Sequence, residues 1–452
     1  MQLTILRLTT LILLAALTLA VTRFNRLGSD LRPRSAFAAP APIAFGSEQA
    51  GTADTVRFLE TKVRRDPGDA LLYNKLGGYY FQRLRETGAL QYLDLMSRAA
   101  HASLASVPAV RNMDGLSLLA LSEYSSHQFK AARDHAAQLT RLDPAKEYPY
   151  EILFDSEIEL GDYNKAAGAF AQILHHTPGV NLNTETRKAR LATLHGDHLG
   201  AARHLSNAIA LGLHLSMPAR ESVAWSYWQL GETAFNVGDY PAAEQAYRSA
   251  LVTYPGYYRA LASLGRVRAA RSDLHDAIVQ YKSAIEVLPD PTYVAALGDL
   301  YKLTGQDKKA ADQYALVEVI GHLSATAGVL YSRPLALFYA DHDIKAQEAY
   351  ANAKREYAMR QDIYGADAIA WTALKAGNVK EAEASIKKAM RLGTVDARLL
   401  YHAGMISRAA GDDTSARGYL RQALTLSPQF DPLQASIARK ALDTIGAPSE
   451  ND

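Results

Sequence analysis

Residues 227–255 read YWQLGETAFNVGDYPAAEQAYRSALVTYP, and residues 261–289 read LASLGRVRAARSDLHDAIVQYKSAIEVLP. The second stretch repeats the first with one constant offset at its small, aromatic and proline positions. The matched pairs are Gly231 and Gly265, Ala243 and Ala277, Tyr247 and Tyr281, Ala250 and Ala284, and Pro255 and Pro289. Self-similarity at a fixed period predicts an array of stacked units instead of one globular core.

The residue types at these positions predict a pair of helices. Gly231 and Ala243 are small enough to let two helices approach closely, and Tyr247 is large enough to fill the space beside them. Gly238 permits the backbone turn between the helices. Pro255 follows the second helix, which it cannot continue. Each unit is therefore expected to be a helix-turn-helix.

Glycines at the equivalent turn position recur along most of the chain, at Gly161, Gly196, Gly305, Gly377 and Gly411. It predicts about nine to ten units over residues 53–431, with an insertion between residues 85 and 91 of the first full unit. Residues 335–359 are expected to be helical although they fit the pattern poorly. A capping helix at 432–446 and a disordered tail at 447–452 complete this interpretation.

The pattern closely resembles the tetratricopeptide repeat, whose period of about 34 residues matches the offset between the paired positions. The resemblance implies an all-α fold, a right-handed superhelical solenoid of helix-turn-helix repeats. In this family the first helix of each unit lines a concave groove, and the protein acts by binding another protein or a peptide. The resemblance therefore implies a protein-protein interaction scaffold and not an enzyme.

The composition excludes several classes of function. Across 452 residues, 49 lysines and arginines nearly balance 47 aspartates and glutamates, and the net charge is +2. This net charge is too small to attract nucleic acid or an acidic membrane surface strongly, so we expect no nucleic-acid partner. The chain has no cysteine, which excludes disulfides, thiolate metal sites and cysteine nucleophiles.

The N-terminus is typical of an export signal. Arg7 precedes an uncharged apolar stretch over residues 8–21, about 21 Å long as a helix and shorter than a bilayer core of about 30 Å. Residues 1–38 are expected to be a signal peptide with a cleavage site at Ala36-Phe37-Ala38, or an uncleaved membrane anchor. Residues 39–52, rich in Ala and Pro, are expected to form a flexible linker. The sequence thus predicts an exported bacterial protein, periplasmic or anchored in the inner membrane facing the periplasm.

Known catalytic signatures are missing from the sequence: it has no Gly-x-x-x-x-Gly-Lys, no Gly-x-Ser-x-Gly and no His-Glu-x-x-His,. Histidines cluster between residues 175 and 214, yet Gly196-Asp197 predicts a turn between His195 and His198, so the two do not share one helix. We therefore expect solvated histidines on turns and outer faces. No cofactor and no catalytic residue is expected.

Asp341-His342-Asp343 is the other arrangement that could hold a metal ion. The triplet occupies the place of an inter-helix turn, where acidic residues and histidine are common because they cap helices. The sequence therefore predicts a turn here and no metal site.

Candidate binding residues follow from the helical period, which identifies one face of each first helix. The predicted groove positions are Tyr148, Glu151, Trp225, Trp228, Glu232, Phe235, Arg259, Arg266, Trp371, Tyr401 and Arg408. Trp225 and Trp228 beside arginines of the next unit suggest an interface, because Trp and Arg dominate binding hot spots. The alternative is that a tryptophan fills the joint between neighbouring units.

The lysines and asparagines with which one subclass of the family clamps chaperone C-termini are absent at the matching positions, which hold Trp228 and Glu232.

Three functions remain open at this point. The first is a scaffold or adaptor of the bacterial cell envelope that holds a partner protein or peptide in its groove. The second is a membrane-tethered factor of envelope assembly or secretion. The third is a carbohydrate-associated binding module, because aromatic grooves also stack on sugars.

Overall fold

The fold is entirely helical in the part of the chain that a computed structural model describes, residues 36–43, 49–215, 219–326 and 332–445. In these ranges it contains 22 α-helices, one short 3₁₀ helix and no strand, which confirms the predicted all-α repeat solenoid. The first eleven helices are α1 Gln49–Arg65, α2 Ala70–Thr87, α3 Gln91–Ser106, α4 Met113–Ser125, α5 Phe129–Leu142, α6 Tyr148–Glu159, α7 Tyr163–His176, α8 Leu182–Leu194, α9 His198–Leu213, α10 Arg220–Asn236 and α11 Tyr240–Thr253. The others are α12 Tyr258–Ala270, α13 Leu274–Val287, α14 Pro291–Leu303, α15 Asp307–Thr326, α16 Ser332–Asp341, α17 Ala346–Tyr357, α18 Ile363–Lys375, α19 Val379–Ala389, α20 Ala397–Ala409, α21 Asp413–Leu426 and α22 Gln434–Thr444.

Consecutive helices pack as antiparallel pairs, from α2 with α3 to α20 with α21. We number these ten pairs as units one to ten; among the described residues, α1 precedes unit one and α22 follows unit ten. The 3₁₀ helix Ala109–Arg111 connects units one and two. Most helices contact both the helix before them and the helix after them, so the core extends from unit to unit along the array.

The turn within most units contains one residue in the left-handed region of φ. Gly161, Gly196 and Gly238 have φ between 73° and 77°, and Gly377 and Gly411, one repeat period apart, have φ of 80° and 83°. At the equivalent place other units use His127, Ser272 and Asp343, at φ of 60°, 63° and 55°. These residues are strained there, since only glycine adopts positive φ without steric cost.

Small residues hold the two helices of a unit close together. A Cβ added to Gly231 would lie 2.3 Å from the ring of Tyr247, and one added to Gly265 would lie 2.6 Å from the ring of Tyr281. Ala243 is fully buried. The repeat period is thus explained by a glycine that faces an aromatic ring across each of these pairs.

The solenoid closes on itself through contacts between units that are far apart in sequence. The backbone N–H of Ile363 donates to the hydroxyl of Tyr163 at 3.0 Å, and Nε2 of His198 lies 2.8 Å from the carbonyl oxygen of Val395. The backbone N–H of Gln429 donates to the hydroxyl of Tyr240 at 2.8 Å. We call this line of contacts, which joins residues about 190–200 positions apart, the seam.

The N-terminal region differs from the expected linker. Helix α1 begins at Gln49, inside the stretch expected to be flexible. Residues 38–43 form neither helix nor strand and contact the body of the solenoid, where Ser206 donates a hydrogen bond to the backbone carbonyl of Ala38 and Tyr227 donates one to that of Pro40. The predicted signal or anchor lies outside the described residues except for Ala36, Phe37 and Ala38, and the predicted tail lies outside them entirely. No helix in the described ranges combines the length and apolar character needed to cross a membrane.

Candidate functional site

The first helices of the units line the interior of the solenoid, which contains two chambers. The N-terminal chamber, about 580 Å³, is bounded by α2, α4, α6, α8, α10, the start of α12 and residues 360–364. The C-terminal chamber, about 540 Å³, is bounded by α10, α12, α14, α16, α18, α20 and residues 427–434. Tyr364 contributes to the lining of both chambers, and each volume lies in the range of ordinary ligand sites.

Arginines dominate the charged lining of the N-terminal chamber. Those from the described residues are Arg85, Arg187, Arg190, Arg259 and Arg360, against the carboxylates Asp155, Glu221 and Asp362. Arg187 pairs with Asp155 at 2.7 Å, and Arg85 pairs with Glu221 at 2.6 Å. Most of the positive charge is therefore already compensated within the walls.

Glu159 lies behind this lining and joins two of its arginines. Its carboxylate pairs with both Arg190 and Arg360, which approach it from units four and eight. Burial by itself would raise the pKa of Glu159, but the two guanidinium groups lower it to about 2. Because Glu159 and Arg360 are 201 residues apart, this buried carboxylate also ties the two sides of the seam together.

Arg259 differs from the other arginines of the chamber. Its guanidinium lies 5.1 Å from the ring centroid of Trp228 and 5.2 Å from that of Tyr258. It forms no ion pair with any residue that the structure describes, whereas Arg85, Arg187, Arg190 and Arg360 all do. Trp225, half-buried, lines the same chamber and meets Trp228 edge to face at 6.5 Å. An aromatic wall beside a guanidinium without an ion pair among the described residues suits an anionic group next to an apolar one,.

Trp228 has a different role from Trp225. Its Nε1–H donates to the hydroxyl of Ser263 at 2.9 Å, and that hydroxyl donates to Glu232 at 2.8 Å. Trp228 on α10 is thus bonded to α12 of the next unit. Of the two interpretations of this pair, the joint between units fits Trp228 and the chamber wall fits Trp225.

Carboxylates outnumber arginines in the lining of the C-terminal chamber. The described residues contribute Glu232, Asp299, Asp341, Asp367, Asp396 and Asp431, against Arg266, Arg333 and Arg398. Arg266 pairs with Glu232 at 2.6 Å and lies 4.0 Å from the ring centroid of Phe235, and Arg398 pairs with Asp431 at 2.9 Å. The charge balance is therefore opposite to that of the N-terminal chamber.

Neutral groups and histidines satisfy several of these carboxylates. Asp341 accepts a hydrogen bond from Nε1–H of Trp371 at 2.8 Å, and burial raises its pKa. Nε2 of His342 lies 2.7 Å from Asp299. Burial would lower the pKa of His342, but the contact with Asp299 outweighs it and raises the pKa above its ordinary value.

The residues predicted for one groove are thus distributed over several environments. Trp225 and Arg259 line the N-terminal chamber, while Glu232, Phe235 and Arg266 line the C-terminal chamber. The remaining predicted residues line neither chamber: Tyr148, Glu151, Trp228, Trp371, Tyr401 and Arg408. The continuous stripe from Trp225 through Phe235 is therefore divided between two chambers.

Four predicted positions are wrong as open groove contacts because they are buried: Glu151, Phe235, Trp371 and Tyr401. Phe235 borders the C-terminal chamber but is only 2% exposed. Trp371 is fully buried and stacks on His402 at 4.3 Å, and Tyr401 is buried and donates to Gln434 at 2.7 Å. Glu151 is buried against Arg187, with 3.1 Å between the charged atoms. Tyr148 and Arg408 are exposed.

The structure confirms the predicted turns at the histidine cluster and at Asp341-His342-Asp343, but not the predicted exposure of every histidine. Helix α8 ends at Leu194 and α9 begins at His198, which confirms the turn between His195 and His198. His198 itself is buried at the seam, so the expectation that these histidines are solvated is wrong for it. Residues 341–343 form the predicted turn after α16. No group of three metal-ligating side chains occurs in the described ranges.

Sequence reasoning missed most arginines of the N-terminal chamber. Arg187 and Arg190, three residues apart on α8, could have been found by extending the groove register to unit four. Arg85 and Arg360 had no such signal, because each reaches the chamber through contacts between units distant in sequence.

Comparison with known proteins supports the repeat assignment. Residues 229–291 and 368–429 match the family model described as tetratricopeptide repeat, so the resemblance proposed from the sequence is supported in these two segments. No curated protein matches the chain.

Several solved structures are similar to this chain. The human IFIT1 dimer with PPP-AAAA has a TM-score of 0.44 and 13% identity, over 84% of this chain and 95% of that chain. A tetratricopeptide repeat protein from Parabacteroides merdae has a TM-score of 0.32 and 17% identity, over 58% of this chain and 98% of that chain. Pseudomonas aeruginosa PilF has a TM-score of 0.27 and 18% identity, over 49% of this chain and 98% of that chain.

Proposed function

We propose that this protein is an interaction scaffold that holds a polypeptide segment of a partner protein in the N-terminal chamber. The observation that carries the proposal is the pair formed by Trp225 and Arg259, an indole on the chamber wall and a guanidinium that is left without an ion pair among the described residues. Together they suit a partner segment with an apolar side chain next to a carboxylate.

The charge of the chamber supports a polypeptide ligand over a nucleic acid. Four of the five lining arginines that the structure describes already pair with carboxylates of the protein. A nucleic-acid backbone needs many cations that can replace its counterions. Arg259, one guanidinium without an ion pair among the described residues and with carboxylates nearby, suits a single negative charge instead.

The location belongs to the same proposal. We place the scaffold in the bacterial cell envelope, exported to the periplasm or anchored in the inner membrane facing it, on the basis of the apolar stretch at residues 8–21,. Membrane tethering would make the scaffold an assembly or secretion factor. Fractionation of a Gram-negative host tests the location, and full-length protein found only in the cytosol would contradict it.

A binding measurement with short synthetic peptides tests the chamber. The probe is a panel of peptides that each carry one aromatic residue followed by Glu, compared with the same peptides carrying Gln. We expect the Glu peptides to bind more tightly, because only they offer Arg259 a carboxylate. Arg259→Gln should remove that preference, and Trp225→Ala should weaken binding of either series by about 2 kcal/mol, the size of a hot-spot contact.

Matched variants separate binding from folding. Arg408→Gln changes an exposed arginine outside both chambers and should leave affinity unchanged. Trp228→Ala should mainly lower stability, because Trp228 is bonded across the joint between units. Equal affinity for the Glu and Gln series in the wild-type protein would contradict the proposed site. Retention on a glycan array instead of peptide binding would favour the carbohydrate-associated module.

A further inference from the structure

Residues 36–43, which we call the strap, lie on the body as a turn at Ala36 and Phe37 followed by six residues without helix or strand. Phe37, Ala39, Pro40 and Pro42 are half-buried, whereas the other four residues face solvent, including Ile43 at 46% exposure. Phe37 and Ala39 pack against the hydrophobic core of units four and five. The body therefore covers half of the strap residues in part, while the others remain accessible to solvent.

Two hydroxyl groups fix the strap through its backbone. The hydroxyl of Ser206 on α9 donates to the carbonyl oxygen of Ala38 at 2.8 Å, and the hydroxyl of Tyr227 on α10 donates to that of Pro40 at 2.6 Å. The two carbonyls are two residues apart and are held by two different helices. Tyr227 is otherwise fully buried, and the strap satisfies its only polar side-chain atom.

The strap connects distant parts of the solenoid. Helix α1, which follows it, packs on α2 of unit one, whereas the strap contacts α9 and α10 of units four and five. Pro42 reaches α11, beside Pro241 and Arg248. Neither chamber includes a strap residue in its lining, so the strap is independent of the proposed peptide site.

We propose that the strap is a permanent part of the mature fold and that Ala36-Phe37-Ala38 is not a processing site. Hydrolysis of the peptide bond between Ala38 and Ala39 would remove Phe37 from the core. It would also place a carboxylate on the released Ala38, away from Ser206, and a charged ammonium on Ala39, which is half-buried.

The first test measures the intact mass and N-terminal sequence of the full chain after expression in a Gram-negative host. The expected mature protein retains Phe37, with its N-terminus at residue 36 or anywhere upstream, Met1 included. A mature protein that begins at Ala39 overturns the proposal. This result does not depend on peptide binding in the N-terminal chamber, so the two proposals fail separately.

The second test measures how fast elastase, which cleaves after small residues, cuts within residues 36–43. Phe37→Gln should increase the cleavage rate several-fold, because it removes the aromatic side chain that anchors the strap in the core without adding a small residue that elastase prefers. Tyr227→Phe keeps the buried ring and removes only the hydroxyl, so it should cause a smaller increase. Ile43→Gln, at an exposed position of the strap, is the control and should leave the rate unchanged. If Phe37→Gln and Tyr227→Phe are both cut at the wild-type rate, the strap is not docked.

Discussion

The N-terminal and C-terminal chambers share the same repeat architecture but have opposite charge. Among the described lining residues, five arginines face three carboxylates in the first, and three arginines face six carboxylates in the second. Helices α10 and α12 contribute to both. Trp225, near the start of α10, therefore belongs to one environment, while Phe235, near its end, belongs to the other. The comparison shows that the repeat period determines where the helices lie, whereas the charge of the residues that line the interior changes along a single helix.

The largest expected effect compares Glu159, a carboxylate behind the wall of the N-terminal chamber, with Glu232, which lines the C-terminal chamber. Glu159→Gln removes the charge that compensates both Arg190 and Arg360, with the Glu159 side chain only 3% exposed, and should cost about 3 kcal/mol of unfolding free energy. Glu232→Gln affects a single pair, in which Glu232 is 22% and Arg266 30% exposed, and should cost about 1 kcal/mol or less. Chemical denaturation of both variants measures the difference. Equal losses would show that the two chambers depend on their ion pairs to the same extent.

A substitution of intermediate expected effect tests the packing of paired helices, which both chambers share. Ala243 is fully buried where α10 and α11 cross, so Ala243→Leu should overpack the crossing and cost about 1–3 kcal/mol,. Ala242, its neighbour, is only half-buried, and Ala242→Leu should cost clearly less. The measurement is the denaturation midpoint of each variant. If both variants lose the same stability, the assigned repeat register is wrong.

The smallest effect concerns two histidines whose pKa values move in opposite directions. Burial and the nearby Arg360 of the N-terminal chamber lower the pKa of His127 to about 4, while Asp299 of the C-terminal chamber raises the pKa of His342 despite burial. The contribution of His127 to stability should be complete above the unfolded value of about 6.5 and decline as the pH falls towards about 4. That of His342 should be complete below about 6.5 and be lost as the pH rises through its folded pKa.

NMR titration of the two imidazole rings measures this directly. His127→Gln and His342→Gln assign the two resonances by loss of one signal each. If both rings titrate near the ordinary value, the contrast in charge between the chambers does not reach these side chains.

The helices and turns of the repeats could be predicted from the sequence because they depend on residues that are close together in the chain. Gly231 facing Tyr247 and the turn at Gly238 recur at fixed spacing, so each unit could be recognised independently. The site was predicted only in part. The helical period identified which residues of α18 and α20 face the interior, but it did not show how deeply their side chains are buried. Trp371 and Tyr401 are buried because neighbouring helices cover them. The contacts of Arg360 and of the strap join residues far apart in sequence, for which no local pattern exists.

The seam changes how this protein is expected to unfold. In an open solenoid each repeat interacts only with its neighbours, so the terminal repeats can fray while the middle stays folded. Here Tyr163 is bonded to Ile363 and Tyr240 to Gln429, so units three and five cannot separate from units nine and ten without breaking tertiary contacts. The array should therefore lose its structure as one cooperative body, and its folding should be slowed by the need to join segments about 200 residues apart,.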